Sequence, residues 1–224
     1  MFLYGFNYTY ILLIVVTLVI GLCTSGYVNS TLRKNAKVPV ISGLTGAEVA
    51  SRMLAYYNIS NVAVIQGRPG EDHYDPRRKV IALNPDAYNG RSITATATAC
   101  HEAGHACQHA MGYVPMRVRT AVVPAVNIAS NAWIFILMIG IFMNLAGLID
   151  LAIILYAIAV AFQLITLPVE LNASHRAMVY MNAIGINESE QACSFSVLRA
   201  CALTYVAAAL TSVLQLLWLL GQRR

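Results

Sequence analysis

Apolar residues gather into four long blocks, and one extended polar stretch separates the first block from the others. From Tyr8 to Tyr27 the chain is almost wholly apolar and uncharged, including the run Tyr10-Ile-Leu-Leu-Ile-Val-Val-Thr-Leu-Val-Ile-Gly-Leu22. Roughly 20 such residues make one membrane-spanning helix. No Lys or Arg precedes the block, and bulky Leu22 stands before Cys23 where a lipoprotein cleavage site wants a small residue. A retained anchor is therefore expected rather than a removed leader. Two further blocks, Val126 to Asn144 and Leu145 to Leu167, are joined only by Asn144-Leu-Ala-Gly-Leu-Ile-Asp150. Such a junction predicts a tight transmembrane hairpin or, failing that, one long kinked helix. The fourth block, Leu198 to Leu220, carries Trp218 as an interfacial anchor and ends in Gly221-Gln-Arg-Arg224.

The polar stretch, Val28 to Met116, is the place for a water-facing part. Thr45 followed by Glu48 reads as a capping box, with Val49, Met53 and Leu54 on one face of the short amphipathic helix behind it. Val62 to Gln66 and Arg78 to Leu83 are β-rich runs separated by a Gly/Pro/Asp loop, Gly67 to Pro76, and predict a small hairpin or two edge strands. Ser92-Ile-Thr-Ala-Thr-Ala-Thr-Ala-Cys100 predicts a helix that continues through His101. The expected fold is a mainly α integral membrane protein forming one integrated domain over 1–224. About four transmembrane helices (8–27, the hairpin 126–167, and 198–220) surround a helical core with the small strands, with 28–125 as the water-facing part and 168–197 as a further helix and loop.

Composition agrees with this layout. Hydrophobic residues make up 58% of the chain and charged residues 11%, with a mean hydropathy of +0.62, so the bilayer belongs to the fold. The net charge of +5 is spread along the chain and gathers beside the apolar blocks, which points to juxtamembrane charge and away from a nucleic-acid partner. Arg33, Lys34, Lys37, Arg117 and Arg119 flank the polar stretch and predict that it is cytosolic, with the N-terminus outside. Counting spans then puts Arg223 and Arg224 outside, against the same rule unless the last helix is not a full crossing. The five cysteines (Cys23, Cys100, Cys107, Cys193 and Cys201) have no CxxC spacing and read as small buried residues, not disulfides.

Within the predicted helix, His101-Glu-Ala-Gly-His105 matches HExxH. Residues four apart lie one above the other on a helix, so both imidazoles can reach one tetrahedral zinc ion, and Glu102 projects beside its open position to take a proton from water. Chance HExxH segments occur in helices, but this chain holds only five histidines and ten acids. A third ligand must come from Asp150, Glu170, Glu188 or Glu190. A hairpin puts Asp150 at the far side of a layer about 30 Å thick, whereas Glu170 returns to the HExxH side, with Pro168 suited to the first turn of a new helical segment. Glu188 and Glu190 read as solvated acids at a helix start. His109 repeats the four-residue spacing from His105 but without the intervening glutamate, and reads as a helix-surface residue. His175, five residues from Glu170, falls about 140° round a helix from it, and either sits at the interface or orients substrate. His73 and Asp75 serve either turn chemistry or substrate contact beside an edge strand.

Taken together, His101-Glu-Ala-Gly-His-Ala-Cys-Gln108 with Gly112-Tyr-Val-Pro, Asp72-His-Tyr-Asp-Pro76, and Leu167-Pro-Val-Glu-Leu-Asn-Ala-Ser174 with Arg176-Ala resemble the YugP-like bacterial membrane zinc metallopeptidases over essentially the whole chain. A more distant similarity is to the gluzincins, where a glutamate from a later helix completes the metal site. The resemblance implies that Glu170 is the third ligand of one catalytic zinc ion. It also implies that Ser174, four residues on, buttresses a ligating histidine. Gln108 and Met111 stand where the metzincin pattern wants Gly and His, which excludes that group. The implied activity is zinc-dependent peptide-bond hydrolysis in the bacterial membrane with no other cofactor; the basic flanks put this multi-pass endopeptidase's site at the cytosolic face of the cytoplasmic membrane, and an edge strand among Val62 to Leu83 makes membrane or misfolded proteins the expected substrates. Two alternatives stand beside it: an intramembrane protease with Asp150 as the acidic ligand, and a membrane scaffold with a structural zinc.

Overall fold

The computed structural model describes residues 8–222, so the Arg223/Arg224 tail lies outside the described residues. In chain order the elements are α1 (Tyr8–Asn35), α2 (Gly46–Tyr56), β1 (Ala63–Gln66), β2 (His73–Asp75), β3 (Val80–Leu83), α3 (Pro85–Asn89), α4 (Ile93–Ala110), α5 (Val114–Phe142), α6 (Ala146–Ala183) and α7 (Glu188–Gly221). Four of these, α1, α5, α6 and α7, are long and apolar enough to cross a membrane. The protein is thus a mainly α membrane protein with one small three-stranded sheet.

The long helices outrun the apolar blocks that predict them. At 1.5 Å per residue, α6 with its 38 residues is about 57 Å long, well beyond a hydrocarbon layer of about 30 Å. Leaving an apolar environment does not end a helix; a capping or breaking signal does. Hence Val28 to Asn35 continues α1, and the segment after Leu167 continues α6 instead of starting a new helix at Pro168. Likewise Glu188 opens the same helix that carries the last apolar block.

The chain divides into two compact units, each supplied in part by these helices. The first holds the described residues up to Thr24, Val118–Leu167, and the described residues from Tyr205. Here the expected hairpin forms. Asn144 takes a left-handed φ of 54°, Leu145 N donates to Gly140 O at 2.9 Å, and a Cβ on Gly140 would come within 3.0 Å of Ile149 N, so glycine eases the close passage of the two helices. Inside this unit Leu137, Ile153, Tyr156, Val160 and Leu219 pack together, with Trp133 against Tyr156 at 4.5 Å between ring centres. The Tyr156 hydroxyl donates to Ser212 O, and Trp218 Nε1 donates to Thr9 Oγ1 at 3.3 Å. Outward faces are apolar, Phe142 being 91% and Ile128 71% exposed, a surface that suits lipid and not water.

The second unit comprises Ser25–Arg117 and Pro168–Thr204. Its core is built from Met53, Ile81, Leu83, Ile93, Cys100, Cys107, Val169, Met181 and Val197. The predicted capping box is present: Thr45 Oγ1 accepts from Glu48 N while Glu48 Oε2 accepts from Thr45 N at 2.8 Å. The strands differ from the expected hairpin. β1 pairs with β3 in parallel, and a third strand, β2, forms from the intervening loop and pairs antiparallel with β3, giving the order β1-β3-β2. Asp75 closes the β2–β3 hairpin, its carboxylate accepting from Arg77 N and Arg78 N as the chain turns directly from β2 into β3. Glu190 also departs from expectation. It is buried, with Oε1 accepting from Ile41 N at 2.6 Å, and its backbone N–H is capped by Asn187 Oδ1.

Candidate metal centre

Helix α4 starts cleanly because the Ser92 side chain accepts from Ala95 N. Its small residues then let it run through the core: Ala95, Ala97, Ala99, Cys100, Ala103, Ala106 and Cys107 are all buried. A close approach to α6 occurs at Gly104, in the middle of HExxH. A Cβ there would lie 2.6 Å from Ala173 O of α6, so α6 rests on the bare backbone of α4. Glu170, one turn before Ala173 on α6, thereby comes within reach of the two histidines.

The resulting contacts converge on one oxygen. Glu170 Oε2 lies 3.2 Å from His101 Nε2 and 3.4 Å from His105 Nε2. Among the described residues these three form the group of metal-capable side chains whose ligand atoms all lie within 4.8 Å of one another. A tetrahedral zinc with bonds of about 2.0–2.1 Å separates its ligand atoms by about 3.3–3.4 Å, so both carboxylate-to-imidazole edges already have the required length. Glu170 is 1% exposed and His105 6%. Burial opposes protonation of His105, yet the hydrogen bond with Glu170 and the charges of Glu102 and Glu170 outweigh it and raise its pKa above the ordinary imidazole value. The site attracts positive charge, as a donor set for a divalent cation should.

Each imidazole is also held from behind. His101 Nδ1 is 3.1 Å from Ser174 Oγ, the buttress that the family resemblance implies. His105 Nδ1 is 3.0 Å from Gln108 Oε1, whose amide nitrogen donates to Val169 O at 2.7 Å and to Asn172 Oδ1 at 3.1 Å. Arg176 Nε donates to the same Asn172 oxygen at 2.8 Å. Sequence reading missed Gln108 and Asn172 as parts of the site. Gln108, three residues after His105, was findable as its helical neighbour; Asn172 carried no signal, since its role depends on how α6 meets α4.

The remaining sequence-derived residues lie as follows. Glu102 is buried on α4 beside His105. His109 stands outside the three-residue group, its Nδ1 bonded to the Tyr74 hydroxyl at 2.7 Å, which ties β2 to α4. His73 is exposed on β2, and Asp75 caps the turn described above. His175 is exposed on α6. Asp150 belongs to the other unit and is not in the group.

Four apolar helices, together with a buried glutamate facing the two imidazoles of an HExxH helix, define a membrane-bound metallopeptidase of the zinc-dependent class. The chain belongs to the family described as "Putative neutral zinc metallopeptidase", whose profile matches residues 10–224. It is 45% identical over 192 residues, 85% of each chain, to the Bacillus subtilis (strain 168) protein named "Putative membrane protease YugP". No solved structure matches the chain.

Proposed function

We propose that His101, His105 and Glu170 hold one catalytic zinc ion and that Glu102 is the proton-transfer group in the hydrolysis of peptide bonds. The observation that carries this reading is the single carboxylate oxygen at 3.2 and 3.4 Å from the two ring nitrogens. When bound, zinc supplies Lewis acidity toward a scissile carbonyl and brings the pKa of water down to about 7. Glu102, buried and one residue beyond the first ligand, then takes the proton from the attacking water and hands it to the departing amine nitrogen. Three protein ligands rather than four leave a coordination position for that water, which favours catalysis over a structural role.

Strand β2 is the substrate rail in this reading. It forms one margin of the sheet and is bonded to the metal-bearing helix through Tyr74 and His109, so an extended peptide pairing with its open edge runs alongside α4. Recognition through backbone hydrogen bonds favours unfolded or loosely folded segments of membrane proteins. With the basic residues around the polar stretch, the site faces the cytosol from the cytoplasmic membrane, and the two units act as one integrated peptidase. The test compares membrane-proteome fragments from cells carrying wild-type protein with those from cells carrying Glu102→Gln. Fragments should disappear and their precursors accumulate in the variant; unchanged fragmentation would remove Glu102 from the chemistry.

A further inference from the structure

Gln108 faces His105 with its oxygen, and the surroundings dictate that choice. Val169 O is a carbonyl and only accepts, so the side of the Gln108 amide facing it at 2.7 Å must be the nitrogen. The second acceptor of that nitrogen, Asn172 Oδ1, is identified as oxygen in turn, because it lies 2.8 Å from Arg176 Nε, which only donates. With both hydrogens of Gln108 committed to α6, its oxygen is left to accept at 3.0 Å from His105 Nδ1. Nδ1 of His105 therefore carries a hydrogen, which leaves Nε2, 3.4 Å from Glu170 Oε2, as the ring atom available to a cation. His101 has no such constraint, since a serine hydroxyl both donates and accepts.

We infer that Arg176, Asn172 and Gln108 form a positioning relay that fixes the tautomer and ring orientation of His105, and that this relay sets how tightly the centre holds zinc. The inference rests on the zinc reading above and adds to it: one ligand is prepared before metal arrives, while the other adapts on binding. The same relay bonds α4 to α6, so the alignment of Glu170 with His105 and the tautomer of His105 are decided by one set of hydrogen bonds. Loss of such partners behind a ligating histidine weakens metal binding by about 10- to 100-fold.

The experiment uses full-length protein in detergent micelles. Zinc affinity is measured by chelator competition, and the imidazole 15N signals of zinc-free, histidine-labelled protein, taken at alkaline pH where the ring is neutral, report the His105 tautomer. Gln108→Met, which keeps the length of the side chain and removes its amide, should weaken zinc about tenfold or more and shift His105 from the Nδ1-protonated form to a mixture. Asn172→Asp retains an acceptor for both Gln108 and Arg176 and should stay within about threefold of wild type, whereas Asn172→Leu should follow Gln108→Met. A merely structural role would lower thermal stability without moving the tautomer signals. Should Gln108→Met fail to fold, the two Asn172 variants decide. Wild-type zinc affinity with an unchanged His105 signal in Gln108→Met, or equal affinities for Asn172→Asp and Asn172→Leu, overturns the relay. Failure of the zinc reading itself looks different, because wild-type protein would then bind no zinc at these residues while the tautomer signals still report on the relay.

Discussion

Gly104→Ala adds one methyl group where α4 and α6 touch backbone to backbone beside the candidate metal centre. Its Cβ would lie 2.6 Å from Ala173 O, against about 3.4 Å for ordinary contact, and 3.1 and 3.2 Å from Ala173 C and Cα. All three atoms are backbone, so no side chain can swing aside and the two helices must part by about 0.8 Å. Coordination tolerates about 0.2 Å, and Glu170 rides on the displaced helix. Overpacking of this kind costs about 1–3 kcal/mol, against which alanine gains roughly 1 kcal/mol over glycine in an unobstructed helix. Where the displacement falls on the centre, a loss of 1.4–3 kcal/mol weakens zinc about 10- to 100-fold. Chelator competition on detergent-purified protein measures this, with Gly147→Ala as control, since a Cβ on Gly147 meets nothing within 4 Å. A Gly104→Ala protein that binds zinc like wild type and melts at a higher temperature would refute the close helix contact as the device that brings Glu170 to the histidines.

Glu170→Gln should abolish stoichiometric zinc in the purified protein while Asp150→Asn retains it; the reverse pattern, read by metal analysis, would transfer the third ligand to Asp150. Tyr74→Phe removes the hydroxyl bonded to His109 and should cost about 0.5–1.5 kcal/mol of stability. Peptide hydrolysis by that variant should show a raised KM at unchanged zinc affinity, and an unaltered KM would separate β2 from substrate binding. Burial pushes the Cys107 thiol up to about 11, so at pH 8 its thiolate fraction is roughly a thousandth. Maleimide should therefore label it only after unfolding, and rapid labelling of folded protein, located by mass spectrometry, would contradict its burial.

The apolar blocks were legible because spanning a bilayer demands long uninterrupted runs of hydrophobic residues, a requirement that acts on sequence locally. The Thr45 cap, the Asn144 hairpin and the spacing of His101, Glu102 and His105 were readable for the same reason, since each depends on residues within one or two turns. The strand pairing was not. The loop between the two runs supplies β2, which Asp75 turns back onto one edge of β3 while β1 pairs in parallel with the other, and composition of the two runs does not reveal this. Glu190 looked like a solvated acid because its partner, the backbone N–H of Ile41, is remote in the chain. The pattern pointed to two candidate ligands and narrowed the third to a few acids. Only the packing of α6 on the bare backbone at Gly104 brings Glu170 over both imidazoles and sets Asn172 behind Gln108. Helical periodicity orients side chains about their own axis, but where two helices touch is decided by the fit of their surfaces, and that fit exists only once the chain has folded.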